Sequence, residues 1–169
     1  TQQDNSAISV PSRTNGGAIT WKDCYSVGTS ESGHIAVDPN DHNIVYSGAI
    51  GSSPGGGDSL LRYDHAVDET RIVSVWPEFS WGFGPIDLKY RFQWTYPIVF
   101  SKYNSKKLFV AGNVLFESTN EGQSWKQISP DLTRNDPSKL QPSGGPITLD
   151  TTMVEHYCTI FSFAESNHD

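Results

Sequence analysis

Apolar and polar positions alternate along this chain in short bursts, none long enough to make a sustained helix. After a polar corner, Gln2-Gln3-Asp4-Asn5, the run Ala7-Ile8-Ser9-Val10 alternates as a half-buried strand, and beyond the Asn15-Gly16-Gly17 turn Ile19 to Tyr25 reads as another. His34 to Gly48 is strand, Asp38-Pro39-Asn40 turn, strand. Pro97 to Gly112 repeats that grammar: Ile35 matches Ile98, Val37 matches Phe100, Ile44 matches Leu108 and Gly48 matches Gly112, with one extra residue in the second turn. A third strand follows in each copy, Leu60 to Tyr63 and Val114 to Glu117. A fourth closes each, Arg71 to Val75 and Trp125 to Ile128.

Two similar four-strand units in tandem predict an all-β fold of the propeller or solenoid kind. Residues 1–29 read as the second half of a blade, 30–77 as a complete blade and 97–129 as another. Tyr157 to Glu165 reads as the opening strand of the next, within 157–169. The expectation is a partial β-propeller, about two complete four-stranded blades between two incomplete ones. Since a ring takes roughly four to eight blades, this is expected to be an arc of something larger. A start at Thr1 without Met or a signal-like segment fits a mature or excised piece.

Two stretches stand outside the pattern. Residues 78–96 form an aromatic-rich insertion between the blades, and 130–156 a long connector with a short helical turn near Pro137 to Leu140. Long loops on a rigid scaffold are where binding tends to sit.

Between the third and fourth strands of the second unit lies Ser118-Thr119-Asn120-Glu121-Gly122-Gln123-Ser124-Trp125. Ser118 and Asn120 are short side chains able to hydrogen-bond a tight turn, and Gly122 can take the positive φ it needs. Trp125 is expected to fold back over the turn, its N–H reaching a nearby carbonyl. Nothing here pairs a nucleophile with a base, so the motif builds a hairpin and not a catalyst.

Composition narrows the picture. Of 169 residues 18% are charged and 12% aromatic, a balance that favours strands. A formal net charge of −7 leaves no basic stripe for nucleic acid, and no apolar run approaches membrane-spanning length. Cys24 and Cys158 read most simply as two buried free thiols, with one disulfide as the alternative. No Asn-x-Ser/Thr acceptor occurs.

The Ser118–Trp125 motif resembles the Asp-box, S-x-D-x-G-x-[ST]-W, of bacterial-neuraminidase-repeat (BNR) propellers, with Asn120 where that family usually has Asp. The resemblance extends to the 2–5 corner, Val37-Asp38-Pro39-Asn40, the segments 87–94 and 130–137, and Ser143-Gly144-Gly145-Pro146-Ile147-Thr148. Together they are similar to large exported bacterial BNR-repeat proteins described as glycosyl-hydrolase-like, sortilin-like or photosystem II assembly factor-like. That resemblance implies a propeller and a secreted, periplasmic or cell-surface location. It implies little chemistry, because a fold does not fix a function.

Glycoside hydrolysis needs two carboxyls at a set separation. Glu78, Asp87, Asp131 and Asp136 lie on loops, Asp87 and Asp131 being the catalytic candidates, but no spacing pairs them. A sialidase also needs several arginines converging on a carboxylate, and only Arg13, Arg62, Arg71, Arg91 and Arg134 are present. For binding, Tyr90, Phe92, Trp94 and Tyr96 alternate with Lys89, Arg91 and Gln93, which on a strand puts aromatics on one face. The aromatics read as core between blades. Arg91 and Gln93, with Gln3, Asp4 and Asn5, are then candidates to offer hydrogen bonds to a carbohydrate or peptide; alternatively Lys89 and Arg91 pair with Asp87, Asp131 or Asp136. The five histidines show no ligand spacing, and neither metal nor cofactor is expected. The resulting expectation is a non-catalytic scaffold or interaction segment whose partners are further blades or another chain. The alternatives are part of a glycoside hydrolase or lyase with its catalytic residues elsewhere, and sortilin-like capture of a peptide.

Overall fold

The computed structural model describes residues 1–2, 5–28, 33–48, 60–152 and 156–168. Within them the chain is all-β, with only short 3₁₀ turns at Trp21–Asp23, Pro85–Asp87 and Pro137–Lys139. Two four-stranded antiparallel meanders dominate. The first is β3 (His34–Val37), β4 (Ile44–Gly48), β5 (Leu60–Asp64) and β6 (Glu69–Ile72); the second is β7 (Ile98–Phe100), β8 (Leu108–Ala111), β9 (Leu115–Ser118) and β10 (Lys126–Gln127). A two-stranded sheet joins β1 (Ile8–Ser9) to β2 (Tyr25–Ser26), and a small hairpin joins β11 (Ser143–Gly144) to β12 (Leu149–Asp150).

The sheets stack through their faces. Ala36, Ile44, Tyr46, Leu60 and Val73 of the first meet Ile98, Leu108, Val110, Val114 and Phe116 of the second, and Phe92 and Tyr96 from the connector complete the same core. On its other face the first sheet buries Val45 and Tyr63 against Ala7 and Val27 beside β1 and β2. Because successive residues of a strand point to opposite faces, Ile44 and Val45 serve different cores. At Gly48 the backbone passes under the Tyr96 hydroxyl, where a Cβ has no room.

Register corrects the sequence alignment of the two units. Val37 pairs with Val45 and Phe100 with Leu108, so the two turns have the same length and the second holds no extra residue. Leu108 therefore corresponds to Val45, not Ile44. A one-residue slip exchanges the faces of a strand, and the unbroken apolar run Ile44-Val45-Tyr46 conceals such a slip.

Two expected strands do not form as read, and the 89–96 segment, where a strand would have set the aromatics on one face, is none. Of Ile19 to Tyr25 only Tyr25 is in a strand, and Trp21–Asp23 is a 3₁₀ turn, because the Asp23 carboxylate accepts from both the Thr20 amide (2.8 Å) and its hydroxyl (2.9 Å) and closes a capping box. Residues 89–96 run irregularly. Tyr157 to Glu165 forms no ladder among the described residues; it lies against the second sheet through Ile160 N–H to Gly112 O (2.8 Å), and Phe163 meets Phe109 edge to face. Cys24 and Cys158 are separate thiols, half-buried rather than buried. No helix among the described residues is long and apolar enough to cross a membrane.

Candidate functional site

The Ser118–Trp125 turn is built as its residue types require. The Ser118 hydroxyl accepts from the Gly122 amide at 2.9 Å, and Asn120 Oδ1 accepts from the Ser124 amide at 3.0 Å. Asn120 Nδ2 donates to the Ser124 hydroxyl at 2.9 Å, where an Asp carboxylate would instead accept from it. Gly122 has φ of +77°, and a Cβ there would come within 2.8 Å of Val73 Cβ. Trp125 Nε1 donates to the carbonyl of Val73 at 2.8 Å, so the ring reaches past its own hairpin to the first sheet.

Glu121, which no sequence pattern singles out, adds an ionic clasp. Its carboxylate lies 2.8 Å from Arg62 on β5 and 3.4 Å from Arg71 on β6. The Arg62 side chain is only 8% exposed, and Asp64 lies 3.6 Å from it. Burial works against its charge, but Glu121, Tyr46 and Asp64 outweigh that and hold its pKa above the ordinary arginine value. Beside this clasp, between the sheets, a cleft of about 530 Å³ is lined by Asp38, Asp41, Arg62, Asp64, Lys106 and Glu121 among others.

Arg91 and Asp131 meet at 2.6 Å, the structural pairing that the sequence allowed. Arg91 is buried, with Nε donating to Cys158 O and its amide to Asn113 Oδ1. Asp131 also accepts from Asn113 Nδ2 (2.8 Å), the Thr133 hydroxyl (2.6 Å) and the Thr133 amide (2.8 Å). Partial burial pushes its carboxyl upward, but the bonds from Thr133, Asn113 and Arg91 prevail and set it at about 2. A carboxylate so held is ionised and enclosed by donors, the opposite of the raised pKa a general acid requires.

The remaining candidates are dispersed. Asp87 is exposed, and no hydrogen bond or ion pair of its side chain is seen among the described residues. Asp136 caps the Pro137–Lys139 turn by accepting from the Ser138 amide at 2.9 Å. Glu78 is half-buried at a small cavity beside Ser80 and His156. Gln93 donates to Thr95 O, and neither it nor Arg91 bonds to Asn5; Gln3 and Asp4 lie outside the described residues. The aromatics are divided: Phe92 and Tyr96 belong to the inter-sheet core, with Tyr90 packed against it. No cluster of three metal-ligating side chains is found among the described residues.

No family model, curated protein or solved structure matches this chain.

Proposed function

We propose that this chain is an arc of a BNR/Asp-box propeller and serves as a non-catalytic scaffold or interaction segment of an exported protein. One observation carries the reading. Residues in equivalent register face the same way around the stack: Val45 packs toward β1 and β2, while its counterpart Leu108 packs toward the first sheet. Each large sheet thus shows the same face to its predecessor, as repetition by rotation demands and as a two-layer sandwich, with its inner faces opposed, does not. The Asp-box-like turn, clasping the sheet before it, supports the same view.

The scaffold reading rests further on the state of the carboxylates. Asp131 is locked in a structural network, and Asp87 is joined to no second acid among the described residues. The experiment is to incubate the chain with a panel of aryl glycosides and polysaccharides. No release of reducing ends is expected; turnover that disappears in Asp87→Asn or Asp131→Asn overturns the reading in favour of a glycosidase.

A further inference from the structure

The Asn15-Gly16-Gly17 turn lies between β1 and the 3₁₀ turn at Trp21–Asp23 and contributes to neither hydrophobic core. All three residues are exposed. Among the described residues, none of 11–19 enters a backbone–backbone hydrogen bond. The turn is tied across by the Thr14 hydroxyl, which donates to Ala18 O at 2.8 Å. The Asn15 side chain and the Gly16 N–H, which lie inside that tie, have no hydrogen-bond partner among the described residues.

These two groups can react with each other. The amide nitrogen of the residue after an asparagine can close a ring on the side-chain carbonyl carbon, Cγ, and a reaction between groups so linked gains greatly from proximity. A side chain on that next residue crowds the nitrogen, and glycine has none. Asn15 is the one asparagine of the chain followed by glycine. Asn40, Asn43, Asn104, Asn113 and Asn120 hold their side chains in hydrogen bonds. After Asn167, the amide of His168 already donates to Ser166 Oγ at 3.0 Å. Sequence and environment therefore single out the same residue.

We propose that Asn15 is a site of spontaneous modification, a deamidation that consumes water and needs no enzyme. The Gly16 nitrogen gives up its proton and bonds to Cγ of Asn15, the Cγ–Nδ2 bond breaks, and Nδ2 leaves as ammonia with that proton. Water then opens the resulting succinimide. Breaking the bond from Gly16 N to Cγ gives aspartate; breaking the bond from Gly16 N to the Asn15 backbone carbonyl carbon gives isoaspartate. Either product adds one negative charge to the formal −7 of the chain. Isoaspartate also lengthens the backbone by a methylene, beside a Gly17 at which even a Cβ would meet nothing within 4 Å. The site goes beyond the scaffold reading and stands whether or not the sheets are propeller blades.

The test incubates the chain in mildly alkaline buffer, both folded and in denaturant, and follows its peptides by mass spectrometry with fragmentation that separates aspartate from isoaspartate. A gain of about 1 Da on the peptide holding Asn15 is expected, about tenfold or more faster than on any other asparagine. The folded-state rate is expected within about threefold of the rate in denaturant, because the turn leaves both groups open. Gly16→Ala is expected to slow the gain about tenfold. Gly16 has no positive φ, and a Cβ there meets only Thr14 Oγ1 at 3.9 Å, so the fold tolerates the change. No gain at Asn15, a rate matched by other asparagines, or a rate unmoved by Gly16→Ala overturns the site; a folded-state rate far below that in denaturant overturns the claim that the turn leaves the reaction open.

Discussion

Trp125 donates its indole N–H to the carbonyl oxygen of Val73, 2.8 Å away and 52 residues earlier in the chain. The donor belongs to the turn after β9 and the acceptor to the residue after β6, so a local hairpin motif forms a long-range bond. Replacing Trp125 by Phe keeps an aromatic ring and leaves the Val73 carbonyl without this donor. A loss of about 1–2 kcal/mol is expected from denaturant unfolding, with the strands retained by circular dichroism.

Gly122 is held by the same neighbour. Its φ of +77° and the 2.8 Å approach of a built Cβ to Val73 Cβ make Gly122→Ala unfavourable twice over. A destabilisation of about 2 kcal/mol is expected. Val73→Gly, which removes the Cβ that Val73→Ala would keep, relieves the steric part only, so the double variant should be less unstable than the sum of the singles. Strict additivity in the cycle would show that the contact plays no part.

Glu121 has the ionic role. Changing it to Gln leaves the Arg62 guanidinium, 8% exposed, with Asp64 at 3.6 Å as its one anionic partner among the described residues. The expected cost is about 1–2 kcal/mol, less than for a fully buried pair because Glu121 is half exposed. Raising the salt concentration should lower wild-type stability more than that of Glu121→Gln; equal responses would count against the clasp.

Asp131 gives the fold an acid-sensitive joint. Its folded pKa of about 2 lies below the ordinary 3.8, so the protonated form fits the folded state poorly. The stabilisation is therefore present above pH ~4 and is lost as pH falls from there through ~2, amounting to about 2 kcal/mol at most. Unfolding measured at intervals between neutral pH and pH ~2 should show this slope, and Asp131→Asn should flatten it while weakening the fold at neutral pH.

Much of the fold was legible because strands and turns announce themselves locally. Ile44 to Tyr46 and Leu108 to Ala111 are unbroken apolar runs buried on both faces, and Ser118 to Trp125 carries its turn chemistry in its own residue types. The segments that differ are those that polar side chains shape. Asp23 turned an apparent strand at Trp21 into a capped 3₁₀ turn, a short-range signal overlooked beside the apolar pattern. Residues 89–96 alternate like a strand, but Arg91 is drawn into a network with Asn113, Asp131 and Cys158, and the backbone follows that demand. Of the candidate site, the Arg91–Asp131 pairing was foreseeable as one alternative among several. The approach of Glu121 to Arg62 was not, since no pattern in a sequence reports which side chains meet across two sheets.

The single core shared by the two large sheets has a mechanical consequence. Neither layer owns enough apolar surface to survive as an independent body, since the side chains that seal one are supplied by the other and by Phe92 and Tyr96 between them. Melting is therefore a joint event, and a nick in the 76–97 link leaves two fragments that remain clasped until both let go.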